Sequence, residues 1–136
     1  MMLNTGSASS ACARKVFLAA CGWGALTLLP LPFLRGAIEV QRPLAHLEYF
    51  YGFIGVCLAF QLVFWLVASD PQRYRPLMPC CAFEKAAFSA PVAVLVATGK
   101  ADASLLLFAL ADTLLMVLFL HSYFATGAQR SREKHA

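Results

Sequence analysis

Leu47 to Ser69 reads LEYFYGFIGVCLAFQLVFWLVAS. Apart from Glu48 in the first turn and Gln61 in the interior, the stretch is apolar, aromatic or small. A helix of this length rises about 34 Å, enough to cross a hydrocarbon layer of about 30 Å. The reading of this stretch decides the fold, because the rest of the chain repeats its character.

Working outward, Val16 to Leu34 is a run of 19 residues without a charge. Met78 to Gly99 is a third apolar run and carries Glu84 and Lys85, and Ala103 to Phe124 is a fourth and carries Asp112 and His121. Four spans (16–34, 47–69, 78–99 and 103–124) account for most of the apolar content. The chain of 136 residues is 60% hydrophobic and only 13% charged, with a mean hydropathy of +0.68. An ordinary soluble domain is about a quarter charged, so half that charge excludes a water-facing globule, and the hydrophobicity excludes disorder. The expected fold class is all-α: one polytopic membrane domain of four transmembrane helices in an antiparallel bundle.

The connectors carry helix breakers. Gly36 and Pro43 lie between the first two spans, Asp70-Pro71 opens a turn after the second, and Pro76 and Pro79 precede the third. Gly99-Lys100-Ala101-Asp102 reads as a tight turn joining spans three and four as a hairpin. Pro30, Pro32 and Pro91 are expected to bend their helices. The tails, 1–13 and 126–136, are small, polar or charged and are expected to be mobile. Leu18-Ala19-Ala20-Cys21 spells a lipoprotein cleavage box, but only five apolar residues separate Lys15 from Cys21. A signal core needs about 7 to 15, so cleavage is not expected.

Basic residues orient the bundle. With an even number of spans, one side holds Arg14, Lys15, Arg73, Arg75, Arg130, Arg132 and Lys134, and the other holds Arg35, Arg42 and Lys100. The positive-inside rule then puts both termini in the cytoplasm. Tyr49, Phe50 and Tyr51 at the outer boundary, with Trp65, Tyr74, Tyr123 and Phe124 at the inner one, fit aromatic interface belts. No basic cluster interleaved with stacking aromatics indicates nucleic-acid binding.

Of the 18 charged residues, only Glu84, Lys85 and Asp112 lie well inside a span. Glu84 falls about 9 Å into the third and Asp112 about 18 Å from the inner end of the fourth. Burying a charge in lipid is expensive, so such residues face the bundle and pair. Two readings follow: Lys85 locks spans three and four through Asp112 or Glu84, or the acids are proton or cation-substrate sites. Gln61 fits an interhelical hydrogen-bonding group, and His121, near the inner interface, completes the candidate intramembrane polar site. Ala20 with Gly24, and Ala82 with Ala86 and Ala90, are small-residue ladders that let helices approach closely or form a homodimer face. Asp70, Arg73, Tyr74 and Arg75 form a candidate inner-leaflet contact, readable as a lipid-headgroup grip or as an ordinary positive-inside loop.

Catalytic and cofactor motifs do not emerge. The five cysteines, Cys12, Cys21, Cys57, Cys80 and Cys81, contain no C-x-x-C pair. No zinc spacing, G-x-S-x-G, H-E-x-x-H, P-loop or G-x-G-x-x-G occurs. No cofactor or metal is therefore expected. The expected partners are the lipid bilayer and another membrane protein or a second copy of the chain.

From about Tyr49 to Tyr123 the chain resembles small bacterial four-helix membrane proteins of DoxX-like general appearance. The resemblance rests on Tyr51-Gly52, the Asp70-Pro71-x-Arg73-Tyr74-Arg75-Pro76 loop, Glu84-Lys85 and Asp112. It implies the four-helix fold and a bacterial plasma membrane, and it transfers no mechanism. The sequence thus leads to a small accessory or structural membrane protein. A proton- or cation-coupled carrier built on the intramembrane carboxylates stands second. A membrane enzyme acting on a lipid or quinone, with Glu84, Asp112 and His121 as acid–base groups, stands third.

Overall fold

The computed structural model describes residues 5–41 and 46–134. Tail residues 1–4 and 135–136, together with Arg42 and Pro43 of the first connector, lie outside the described residues. The described elements are all helical: α1 (Thr5–Leu28), α2 (Arg35–Gln41), α3 (Leu47–Ser69), α4 (Met78–Ala97) and α5 (Leu105–Lys134), with a 3-10 turn at Arg75–Leu77. Four stretches are long and apolar enough to cross a membrane: Ala8–Leu28, Leu47–Ser69, Arg75–Ala97 and Leu105–Ala128. By length and composition this is a multi-pass helical membrane protein.

The second span coincides with α3, while the others shift. The first lies about two turns earlier than its apolar run. Pro30 lacks an N–H and disfavours helical geometry in the residue before it. The chain there changes to tighter turns, with the Leu31 N–H on the Leu28 carbonyl (3.2 Å) and the Phe33 N–H on the Pro30 carbonyl (3.0 Å). At the other end, residues expected to be a mobile tail are helical from Thr5. They are held by packing: Ala13 is buried, and the Gln72 amide donates to the Ser10 hydroxyl at 3.2 Å. The 126–136 tail is likewise helical as far as Lys134, and Thr126 is fully buried. The first connector contains α2, a helix with no counterpart in the sequence reading, where Arg35 and Glu39 pair at 3.3 Å.

The turns follow local chemistry. The Asp70 carboxylate accepts from the Arg73 N–H at 3.1 Å and closes the turn after α3. Helix α4 carries Pro79 in its first turn, where a missing N–H costs nothing. It ends at Gly99, which takes the left-handed conformation at φ 69°. Lys100 then donates its N–H back to the Leu95 carbonyl at 2.8 Å. Helix α4 runs through Pro91 without ending.

Each long helix buries a narrow seam at spacings of three and four, which places one stripe against its neighbours. On α1 the seam is Ala13, Phe17, Ala20 and Gly24; on α3 it is Ile54, Gln61, Phe64, Val67 and Ala68. Met78, Cys81, Ala82, Lys85, Ser89 and Val92 form that of α4, and Ala109, Phe119, Ser122 and Thr126 that of α5. The Ala82, Ala86, Ala90 ladder is not the packing stripe, because Ala90 is exposed. Helix α1 packs between α3 and α5, α4 packs on α5, and α3 and α4 touch little. Three fully buried rings meet where α1, α3 and α5 converge. Phe17 stacks on Phe119 with centroids 4.2 Å apart, and Phe64 lies 5.1 Å from Phe119. This aromatic plug fills the part of the bundle nearer the chain termini.

Candidate functional site

Lys85 occupies a seam position of α4, so its side chain points into the bundle rather than to lipid. Its ammonium lies 3.2 Å from Glu84 Oε2 and 3.4 Å from Asp112 Oδ1 on α5. Adjacent helical residues diverge by about 100°, which made a Glu84–Lys85 pair unnecessary on spacing alone. The flexible lysine stem nevertheless brings its charge to both acids. All three side chains are largely withdrawn from the surface, at 7%, 11% and 14% exposure for Lys85, Glu84 and Asp112. The ammonium also sits 5.2 Å from the Phe64 ring centroid, within cation–π range.

Glu84 Oε2 is buried, and the Lys85 ammonium is its ion-pair partner. Two carboxyl groups face one ammonium, so in its ionised form the cluster carries one excess negative charge.

The cluster lines a cavity of about 260 Å³. Glu84, Lys85 and Asp112 form its polar end, and Trp23, Phe53, Phe88 and Phe108 supply its aromatic walls. The lining extends to Leu31, after α1, and to Leu105, the first residue of α5. It thus runs away from the Phe17–Phe64–Phe119 plug. The Phe53 and Phe88 rings, 5.9 Å apart, bridge α3 and α4 along one wall. Trp23, Phe53 and Phe108 are partly exposed at its margin. The charged residues therefore stand between a packed aromatic plug and a partly open void.

Gln61 sits beside this site rather than in its lining. Its amide donates to the Cys57 carbonyl at 2.9 Å, its oxygen has no partner, and a Cβ on Gly24 would overlap the amide. His121 does not join the cluster. It is exposed and lies with Cys12 and Ser122 along a separate groove between α1 and α5. Its place nine residues beyond Asp112 on the same helix separates them by about 14 Å of rise.

The Asp70–Arg75 segment divides. Asp70 closes the turn, and the Arg73 guanidinium rests 5.4 Å from the Tyr74 ring. Arg75 turns inward: its Nε donates to the Tyr123 carbonyl at 3.0 Å, and its guanidinium stacks 3.9 Å over the Tyr123 ring. Gly127 provides the space, since a Cβ there would overlap the guanidinium. In this arrangement Arg75 clamps the 3-10 turn to α5.

Among the described residues no three His, Cys, Asp or Glu side chains converge as metal ligands would. The cysteines are all unpaired; Cys57 borders the cavity and Cys81 lies in the core. The residues that sequence reasoning missed are the cavity walls, above all Trp23, Phe53, Phe88 and Phe108. Phe88 and Phe108 stand one helical turn from Glu84 and Asp112, while Trp23 and Phe53 have no neighbouring charge in the sequence. Compared with protein-family models, curated proteins and solved structures, the chain matches none.

Proposed function

We propose that this chain is a small carrier of the bacterial inner membrane, with antiparallel spans, both termini in the cytoplasm and a proton- or cation-responsive site at Glu84, Lys85 and Asp112. The observation that supports it most is the opening of the charged cluster onto a cavity of about 260 Å³. A purely structural pair has no need of a void, and buried charge in a membrane usually marks a path for ions or substrates. The plug on one side and the cavity on the other fit one end state of alternating access. The excess of basic residues at the terminal side supports the orientation, and the DoxX-like resemblance supports the same membrane.

A second reading keeps the chain as an accessory protein that binds lipid or a membrane partner. The 3.4 Å contact between Lys85 and Asp112 favours it, because that pair ties α4 to α5. Proton and solute flux in reconstituted vesicles separates the two. The carrier reading expects flux in the parent that falls at least about tenfold, or 1.4 kcal/mol, in Glu84→Gln and Asp112→Asn. Equal flux in folded variants overturns it. For orientation, Ala136→Cys in intact cells should resist an impermeant maleimide, and labelling would reverse the assignment.

A further inference from the structure

We propose that the cavity binds a compact apolar ammonium ion, and that each ion bound displaces one proton from the Glu84–Lys85–Asp112 cluster. The inference rests on the carrier reading and names the class of its substrate.

Charge comes first. The titratable groups facing the cavity are Glu84 and Lys85 from α4, Asp112 from α5 and the Cys57 thiol from α3; α1 contributes Trp23, Gly24 and Thr27, none of which titrates. One ammonium therefore offsets only one of two carboxylates. An uncompensated charge in such surroundings is costly, so the site balances itself with a proton when empty and with a cation when occupied. An anion would meet the two acids, and a neutral solute would displace no proton.

Wall chemistry narrows the cation. Metal ions such as sodium or calcium need a shell of oxygen ligands. Besides the two carboxylates, the one side-chain oxygen in the lining is the Thr27 hydroxyl, too few for such a shell. Four aromatic side chains instead present faces and edges that suit an organic cation, whose charge is attracted to a ring and whose carbon frame displaces water. A volume of 260 Å³ corresponds to about nine waters at ~30 Å³ each. That accommodates a single ring carrying a short aminoalkyl arm. Lys85 is one cation between two carboxylates, so a second ammonium has a countercharge to find.

The test uses the full chain in nanodiscs, with phenethylamine as ligand and 2-phenylethanol as its neutral counterpart, both corrected for empty nanodiscs. Calorimetry should show the amine binding at least about tenfold more tightly than the alcohol. A pH dye in weak buffer should report about one proton released per amine bound. On the parent protein alone, amine affinity should fall about tenfold per pH unit on the acid side, as proton and amine compete for one site. Asp112→Asn should abolish proton release. Equal affinity for the alcohol, binding without proton release, or no amine binding each overturns the inference. Vesicle flux that depends on Glu84 and Asp112 while the amine fails to bind leaves the carrier reading standing without it. Amine binding with proton release but no flux overturns the carrier reading instead.

Discussion

The Lys85 ammonium lies 3.4 Å from the Asp112 carboxylate, and among the described residues this is the ion pair that joins two different spans. The same ammonium reaches Glu84 at 3.2 Å, so removing it strands two acids, whereas removing either acid leaves the lysine a partner. Breaking a buried pair from one side costs about 3–5 kcal/mol. Lys85→Met is therefore expected to destabilise the protein by about that amount, and Asp112→Asn by less than half of it. Chemical unfolding in detergent checks the order. Adding Glu84→Gln and Asp112→Asn to Lys85→Met should recover much of the loss, because no stranded charge remains. A Lys85→Met variant as stable as the parent would show that the cluster does not hold α4 to α5.

The aromatic plug predicts a change in access. Phe119 stacks on Phe17 at 4.2 Å, and Cys81 belongs to the same buried core. Truncating a core Phe costs about 3–5 kcal/mol and leaves a cavity. In a background where the other four cysteines are alanine, Cys81 should resist a water-soluble maleimide. Phe119→Ala should render it reactive as the plug opens. Labelling at the parent rate in a folded Phe119→Ala variant would show that the plug is not the barrier.

Much of this architecture can be read from the chain, and the parts that cannot have physical reasons. The run from Leu47 to Ser69 is α3 residue for residue, since an apolar run ended by Asp70-Pro71 leaves little choice. Ala8 to Leu28 was less legible. Its small polar start becomes helical through contacts such as Gln72 to Ser10, which no local pattern announces. Glu84, Lys85 and Asp112 stood out because charges in apolar runs are rare, and the seam spacing explains why Lys85 points inward. The cavity had no such marker. Trp23, Phe53, Phe88 and Phe108 look like ordinary lipid-facing or core aromatics until the helices are packed. Depth along the helix alone groups His121 with the acids, and the turn of α5 carries it to another groove.

Arg73 and Arg75 stand two residues apart and should behave differently. Arg75 donates to the Tyr123 carbonyl at 3.0 Å and stacks on its ring, while the side chain of the exposed Arg73 rests against the neighbouring Tyr74 ring. A half-buried charged hydrogen bond is worth about 1.5–3 kcal/mol, and an exposed cation far less. Arg75→Ala should therefore lower thermal stability in detergent by about that amount, with Arg73→Ala within about 0.5 kcal/mol of the parent. Arg75→Lys should not restore it, because a lysine lacks the planar group that stacks and donates together. Equal losses from both alanines would point to a shared headgroup contact instead of a clamp.

Gly24 and Gln61 give the sharpest test of the packing, because the sign of one substitution depends on the other residue. A Cβ on Gly24 would overlap the Gln61 amide, which is anchored by its hydrogen bond to the Cys57 carbonyl. Overpacking of this kind costs about 1–3 kcal/mol, against a gain of about 1 kcal/mol from replacing a helical glycine with alanine. Gly24→Ala alone is therefore neutral to destabilising. In a Gln61→Ala background the overlap is gone and only the helical gain remains, so the same substitution should stabilise by about 0.5–1 kcal/mol. Unfolding midpoints of the four proteins in this double-mutant cycle measure the reversal. Additive effects would mean that α1 and α3 do not approach each other at Gly24.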